Sequence, residues 1–208
     1  MIEKGLFICI EGIDGVGKTT LGALLAQWFG ERGFPCVFSK EPTGIGAGAA
    51  LRQSAVTGRK TLEEELALFL QDRRDHVERT IAPALQRGNA VILDRCYWSN
   101  AAYQGVRGGD WKKILADNES FVPRPDLVLL LDADPEQSLE RIRKRGDHAN
   151  AFEDHEELKA IRQIFLKIQA QSEQGVLIDA SLGFKEVFQL ALTEVKVLLK
   201  KKMELVQS

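Results

Sequence analysis

Five short apolar runs, separated by longer stretches with helical spacing, constrain this chain more than any other feature. They are LFICI at 6–10, PCVFS at 35–39, AVILD at 90–94, LVLLLD at 127–132 and GVLID at 175–179. None alternates apolar with polar residues, as a strand with one wet face would. Near-continuous apolarity is what a parallel strand covered on both faces needs. Parallel strands cannot be joined by tight hairpins. The helical patterns at roughly 18–32, 47–57, 62–87, 99–117, 135–145, 154–173 and 184–203 therefore become right-handed crossovers. The expectation is an α/β, three-layer fold with a five-stranded parallel sheet flanked by helices. Pro83 should kink or interrupt the 62–87 helix, because it lacks an N–H and its ring crowds the preceding turn. The tail KKKMEL at 200–205 reads as a fraying, solvated helix end.

At 208 residues the chain is most simply one domain, residues 1–208, with a sizeable core. A net charge of −2 supplies no broad basic field, so neither nucleic acid nor a membrane surface is expected as a partner. No apolar run approaches the roughly 18 residues that span a bilayer, and MIEKGLF lacks a signal-peptide layout. Cys9, Cys36 and Cys96 are scattered, without metal-ligand spacing. They read as buried or half-buried free thiols of a cytoplasmic protein.

Directly after the first apolar run comes EGIDGVGKTT at 11–20. Gly12 to Thr19 fits GxxxxGK[ST], and it lies between a predicted strand and a predicted helix, the context a P-loop requires. Gly12, Gly15, Val16 and Gly17 would turn backbone amides toward phosphate oxygens. The helix start at Lys18, Thr19 and Thr20 adds its positive end. Lys18 can reach the β- and γ-phosphates, and the Thr19 hydroxyl can ligate Mg²⁺. The fold is thus a P-loop NTPase fold, with ATP and Mg²⁺ as cofactors. A guanine-reading N-K-x-D is absent, which favours an adenine nucleotide.

AVILD runs into Asp94-Arg95 at the carboxyl end of its strand, the edge where α/β sheets bind ligands. Asp94 suits a ligand contact at that edge or a cap, and Arg95 a phosphate clamp or a surface ion pair. Phe69 and Arg73, four apart, share a helix face and can stack on and hydrogen-bond a planar base. A plain core phenylalanine beside a surface arginine fits the same spacing.

EGIDGVGKTT, KEP at 40–42, LALFLQDRRDHV, DRCYWSNAAYQG, LVLLLDADPEQSLERIRKRG and IDAS at 178–181 together resemble the thymidylate kinase family over essentially the whole chain. The resemblance implies transfer of phosphate from ATP to dTMP. It implies that Phe69 stacks on thymine, Arg73 bonds a base carbonyl, and Asn100 and Gln104 lie near the base edge or sugar. By the same resemblance Tyr103 packs under the deoxyribose, Arg95 holds the acceptor phosphate, and Asp14 lies beside that phosphate and its sugar. Glu41 and Pro42 would shape the acceptor pocket, with Arg52 a further phosphate contact, and Asp94 would bind Mg²⁺ directly or through water. It also implies a homodimer packed through helices. A lid at about 143–154 would supply Arg143 and Arg145, since Gly15 stands where some members carry a P-loop arginine. Ala151 departs from the arginine usual in that lid, and Thr43 to Gly48 depart from the usual turn after Pro42. These departures keep two other readings open: a nucleotide-binding paralogue with little kinase activity, and a kinase for another deoxynucleotide.

Overall fold

The computed structural model describes residues 5–144 and 155–207. Strands β1 (Leu6–Glu11), β2 (Cys36–Lys40), β3 (Ala90–Asp94), β4 (Leu127–Asp132) and β5 (Gly175–Asp179) form one sheet in the order β2-β3-β1-β4-β5. Every pairing is parallel. All residues of β1 and β3 are buried. Successive strand residues face opposite sides, so both faces of the sheet centre are covered. This is why those two runs carry no polar alternation.

The crossovers are α1 (Lys18–Gly30), α2 (Gly46–Thr57), α3 (Leu62–His76), α4 (Ala82–Gln86), α5 (Tyr97–Val106), α6 (Trp111–Glu119), α7 (Pro135–Lys144) and α8 (His155–Gln169), and α9 (Phe184–Gln207) follows the last strand. Between α3 and α4 the chain passes through a π-helical turn, Val77–Ile81, with the Ala82 amide bonded to the Val77 carbonyl. The effect expected of Pro83 is therefore taken up by one widened turn. The wider turn accommodates the missing N–H and the ring without ending the rod.

The helix predicted at 99–117 is two helices. A turn at Gly108 (φ 99°) and Gly109 separates α5 from α6, and a side chain at Gly109 would come within 2.8 Å of the Gln104 carbonyl. Asp110 then caps α6, accepting from the amides of Lys112 (3.0 Å) and Lys113 (3.2 Å). Gly-Gly-Asp is a stop followed by a start, and periodicity alone reads through it. The tail also differs from expectation. Lys202 Nζ donates to the Gly5 carbonyl at 3.2 Å and pairs with Asp126 at 2.7 Å, so this part of α9 is tied to the base of the sheet. The glycine-rich stretch after Pro42 becomes the first turn of α2. A side chain at Gly48 would overlap the Asp72 carboxylate and sit 2.5 Å from the Thr43 carbonyl.

Cys9 and Cys96 are buried and Cys36 half-buried, all three as free thiols. Among the described residues, no helix is long and apolar enough to cross a membrane.

Replacing Asp110 by alanine removes both cap bonds of α6. Stability should fall by about 1 kcal/mol, read as a lower denaturant midpoint with an unchanged m-value.

Candidate active site

The β1–β3 pairing sets Ile10 opposite Asp94. The loop leaving β1 and the residues leaving β3 therefore emerge side by side. Three glycines of the loop have positive φ: Gly12 at 138°, Gly15 at 83° and Gly17 at 96°. A side chain at Gly12 would strike the Leu131 carbonyl, and one at Gly15 would lie 2.5 Å from the Ser138 carbonyl. These two positions are closed to any other residue by space as well as by backbone angle. The first bond of α1 runs from the Leu21 amide to the Gly17 carbonyl at 3.0 Å. The amides of Lys18, Thr19 and Thr20 thus stand outside the helix ladder, where an anion can take them.

Lys18 is buried, with Nζ donating to the Ile13 carbonyl at 2.6 Å. Burial drives its ammonium down and Arg95 adds to the effect. Asp14, Asp94 and Glu11 restore only part, and the pKa settles at about 7. The Thr19 hydroxyl donates to Asp94 Oδ2, and Lys40 Nζ stands 3.6 Å from the same oxygen. Asp94 Oδ1 is buried without a hydrogen-bond partner. An unpartnered carboxylate oxygen beside a threonine hydroxyl is suited to a hard cation that takes its other ligands from phosphate and water.

Arg95 has φ 69°, a backbone conformation rare for a side-chain-bearing residue. That turn aims its guanidinium back over the P-loop. Nη2 reaches Asp14 Oδ1 at 2.5 Å and the Tyr103 hydroxyl at 3.3 Å; Nη1 reaches Ser99 Oγ at 3.0 Å and the Gly12 carbonyl at 3.3 Å. The Tyr103 hydroxyl donates to Asp14 Oδ2 at 2.7 Å. Burial alone would raise the Asp14 carboxyl. Arg95, Lys18 and the Tyr103 hydroxyl outweigh it and hold the group well below the usual carboxylate range.

From this point a cavity of about 270 Å³ runs away from the P-loop. Asp14, Glu41, Pro42, Arg52, Phe69, Arg73, Arg95, Asn100, Tyr103 and Gln104, drawn from separate elements, all line it. Several are less free than their spacing suggested. Arg73 is buried, giving Nε to Glu41 at 2.7 Å and Nη1 to Asn118 Oδ1. Arg52 grips the Pro42 carbonyl through Nε (3.0 Å) and Nη2 (2.6 Å). Gln104 donates to Glu65 at 3.1 Å. Arg143 is exposed at the end of α7 and does not line the cavity. Arg145 and Ala151, with nearly all of the expected lid, lie outside the described residues.

Four residues that sequence reasoning missed hold these side chains in place. Glu11, fully buried, accepts from the amides of Cys96 (2.9 Å) and Ser99 (3.1 Å) and from the Ser99 hydroxyl (2.5 Å). Burial pushes its pKa up to about 7, against Ser99, Arg95 and those amides. His76 bridges Glu41 and Ser39, each at 2.9 Å. Glu65 gathers Arg59, Gln104 and Arg107. Asn118 joins Arg73 to Asn100. Removing one member of a buried pair such as Glu41–Arg73 costs about 3–5 kcal/mol, because the other charge is left unpaired. Only Glu11 left a trace in the sequence, as an acid ending an apolar strand in the manner of Asp94.

The family model for thymidylate kinase matches residues 10–191. A thymidylate kinase of Xanthomonas campestris pv. campestris (strain B100) is 50% identical over 187 residues, covering 90% of this chain and 81% of that protein. One from Xylella fastidiosa (strain M23) is 47% identical over 192 residues, covering 92% and 87%.

Phosphate beside Nζ should return Lys18 toward its ordinary value of 10.5 from about 7. Binding of a nucleoside triphosphate at pH 7.5 should therefore take up a proton at this residue. Calorimetry in buffers of differing ionisation enthalpy reads that uptake, and Lys18→Arg should lose it.

Proposed function

The chain belongs to the thymidylate kinase family, and we propose that it transfers the γ-phosphoryl group of ATP to dTMP, yielding dTDP and ADP. The observation that carries this reading is Arg95. It lies over the P-loop at one end of a cavity whose other residues include Phe69, Arg73 and Asn100. A monophosphate held by Arg95 with its base among those residues has its phosphate at the mouth of a triphosphate cradle.

The reaction asks mainly for alignment and charge neutralisation. An acceptor phosphate oxygen is already a competent nucleophile, so no strong base is required. The amides of Gly12, Gly15, Val16, Gly17, Lys18, Thr19 and Thr20 surround the donor phosphates, and Lys18 offsets charge on the transferring group. Arg95 exchanges its Asp14 contact for the acceptor phosphate, and Arg52 is a further phosphate contact. Asp14 and Tyr103 border the deoxyribose, where the tyrosine crowds a 2′-hydroxyl. Phe69 stacks on thymine, Arg73 bonds a base carbonyl, Asn100 and Gln104 lie near the base edge or sugar, and Glu41 and Pro42 shape the acceptor pocket. Thr19 and Asp94 would hold Mg²⁺, which would supply charge neutralisation for the transferring phosphoryl group. The unpartnered Asp94 Oδ1 supports that assignment. Arg143 and Arg145 serve from the lid, which excludes water that would otherwise accept the phosphoryl group.

The enzyme works in the cytoplasm, where its ATP is and where three unpaired thiols persist. It acts as a homodimer packed through helices, with the 62–87 and 99–117 regions as contributors. No observation favours the paralogue that binds without transfer, because Lys18, Thr19, Asp94 and Arg95 converge on one point.

Steady-state transfer from ATP with Mg²⁺ should favour dTMP over dCMP, dGMP, thymidine and the ribose form. Preference over dUMP should be modest, since a methyl group in a pocket is worth only about 1–3 kcal/mol. Lys18→Ala should be inactive. Preference for another acceptor would refute the base assignments, and ATP binding without any transfer would refute the enzyme reading.

A further inference from the structure

We propose, on the premise that Arg95 takes the acceptor phosphate of dTMP, that Glu11 is a positioning residue for that phosphate. It acts through Ser99 and the Cys96 amide. It holds one side of the Arg95 guanidinium still, so that another edge is presented to the ligand. Glu11 ends β1, is fully buried and does not line the cavity. The two peptides that flank Arg95 are both held by β1. The Arg95 amide donates to the Ile10 carbonyl at 3.0 Å, and the Cys96 amide donates to Glu11 Oε1 at 2.9 Å. Arg95, at φ 69°, occupies a region that side-chain-bearing residues seldom adopt, and such a turn persists only where its surroundings fix it. Ile10 and Glu11, consecutive in the chain, fix it from either side.

The same carboxylate reaches the side chain. A serine hydroxyl has a single hydrogen, and a guanidinium only donates. The Ser99 hydroxyl therefore accepts from Arg95 Nη1 at 3.0 Å and gives its hydrogen to Glu11 Oε2 at 2.5 Å. With the Gly12 carbonyl 3.3 Å away, both hydrogens of Nη1 are engaged. Nη2 meets Asp14 and Tyr103, and Nε has no hydrogen-bond partner among the described residues. Nε and Nη2 share one edge of the guanidinium, and such an edge takes two phosphate oxygens side by side. Glu11 thus holds the nitrogen that stays and leaves free the edge that binds.

Glu11→Gln keeps the shape. Its oxygen must face the two backbone amides, which only donate, so its NH₂ faces Ser99 and the serine hydrogen loses its acceptor. Ser99→Ala removes the relay and leaves both backbone bonds to Glu11. Titration calorimetry with dTMP and with thymidine, alongside thermal unfolding, compares both variants with the wild type. Thymidine is the control because α5 carries Asn100, Tyr103 and Gln104 as well as Ser99. A carboxylate that merely caps this helix would weaken both ligands alike when lost. The ratio of the thymidine Kd to the dTMP Kd should fall at least about fivefold in both variants, with thymidine affinity held within about twofold. In an Arg95→Ala background, Ser99→Ala should cause no further loss of dTMP affinity. A smaller fall in either folded variant, equal weakening of both ligands, or the same loss without Arg95 reduces Glu11 to a cap of α5 and overturns the proposal. If Glu11→Gln does not fold, Ser99→Ala decides. A wild type that binds dTMP no more tightly than thymidine overturns the phosphate reading of Arg95 itself. That result appears before any substitution and is separable from a failure of the Glu11 argument.

Discussion

The parallel pairing of β1 with β3 is the constraint on which the rest of the structure depends. One register sets Ile10 opposite Asp94 and bonds the Arg95 amide to the Ile10 carbonyl at 3.0 Å. From that single alignment Asp94 meets Thr19, and Arg95 meets Asp14 and the Gly12 carbonyl. A slip by one residue would exchange the faces of every side chain on the strand, burying polar groups and breaking each of these meetings at once. The apolar sheet centre that enforces the register is thus also what builds the site. Stability and function share the same few contacts where the chain leaves the sheet.

Around that alignment the charges are arranged in two layers. Arg95, Lys18, Asp14 and Asp94 cluster at the P-loop; burial, helped by Arg95, takes Lys18 down to about 7 against the carboxylates, and Arg95 and Lys18 hold Asp14 low against its burial. Behind them, Glu11 accepts from Cys96 and Ser99, His76 bridges Ser39 and Glu41, Glu65 accepts from Gln104, and Asn118 accepts from Arg73. The cost of burying such groups is met by nearly complete pairing. The exceptions are informative. Asp94 Oδ1 and Asn100 Nδ2 are two of three buried side-chain atoms without a partner among the described residues. Asp94 also accepts from the Thr19 hydroxyl, and Asn100 lines the cavity.

Much of this was legible in the sequence. The strands β1, β3 and β4 were readable because two-sided burial removes polar alternation, while the half-buried edge strands β2 and β5 were readable only as apolar runs, and the P-loop because its glycines answer to space as well as to backbone angle. The grouping of Phe69, Arg73, Arg95, Asn100 and Tyr103 came from resemblance and not from periodicity. The break between α5 and α6 was visible as Gly-Gly-Asp but was overridden by helical spacing on both sides. Lys202 was read as solvent-exposed because nothing local shows that Asp126 and Gly5 stand beside it. The supporting layer was illegible for the same reason. Asn118 acquires its role from Arg73 and Asn100, which lie 45 and 18 residues away along the chain. No window of sequence contains that arrangement.

The central claim is that one strand register joins two phosphate sites, with Lys18 serving the donor and Arg95 the acceptor. Titration calorimetry of Arg95→Ala with dTMP, thymidine and ATP tests it most directly. The account predicts that dTMP affinity falls at least about tenfold, while thymidine and ATP bind as they do to the wild type. Equal loss for ATP and dTMP, or unchanged dTMP binding, would contradict the division of labour between the two sites.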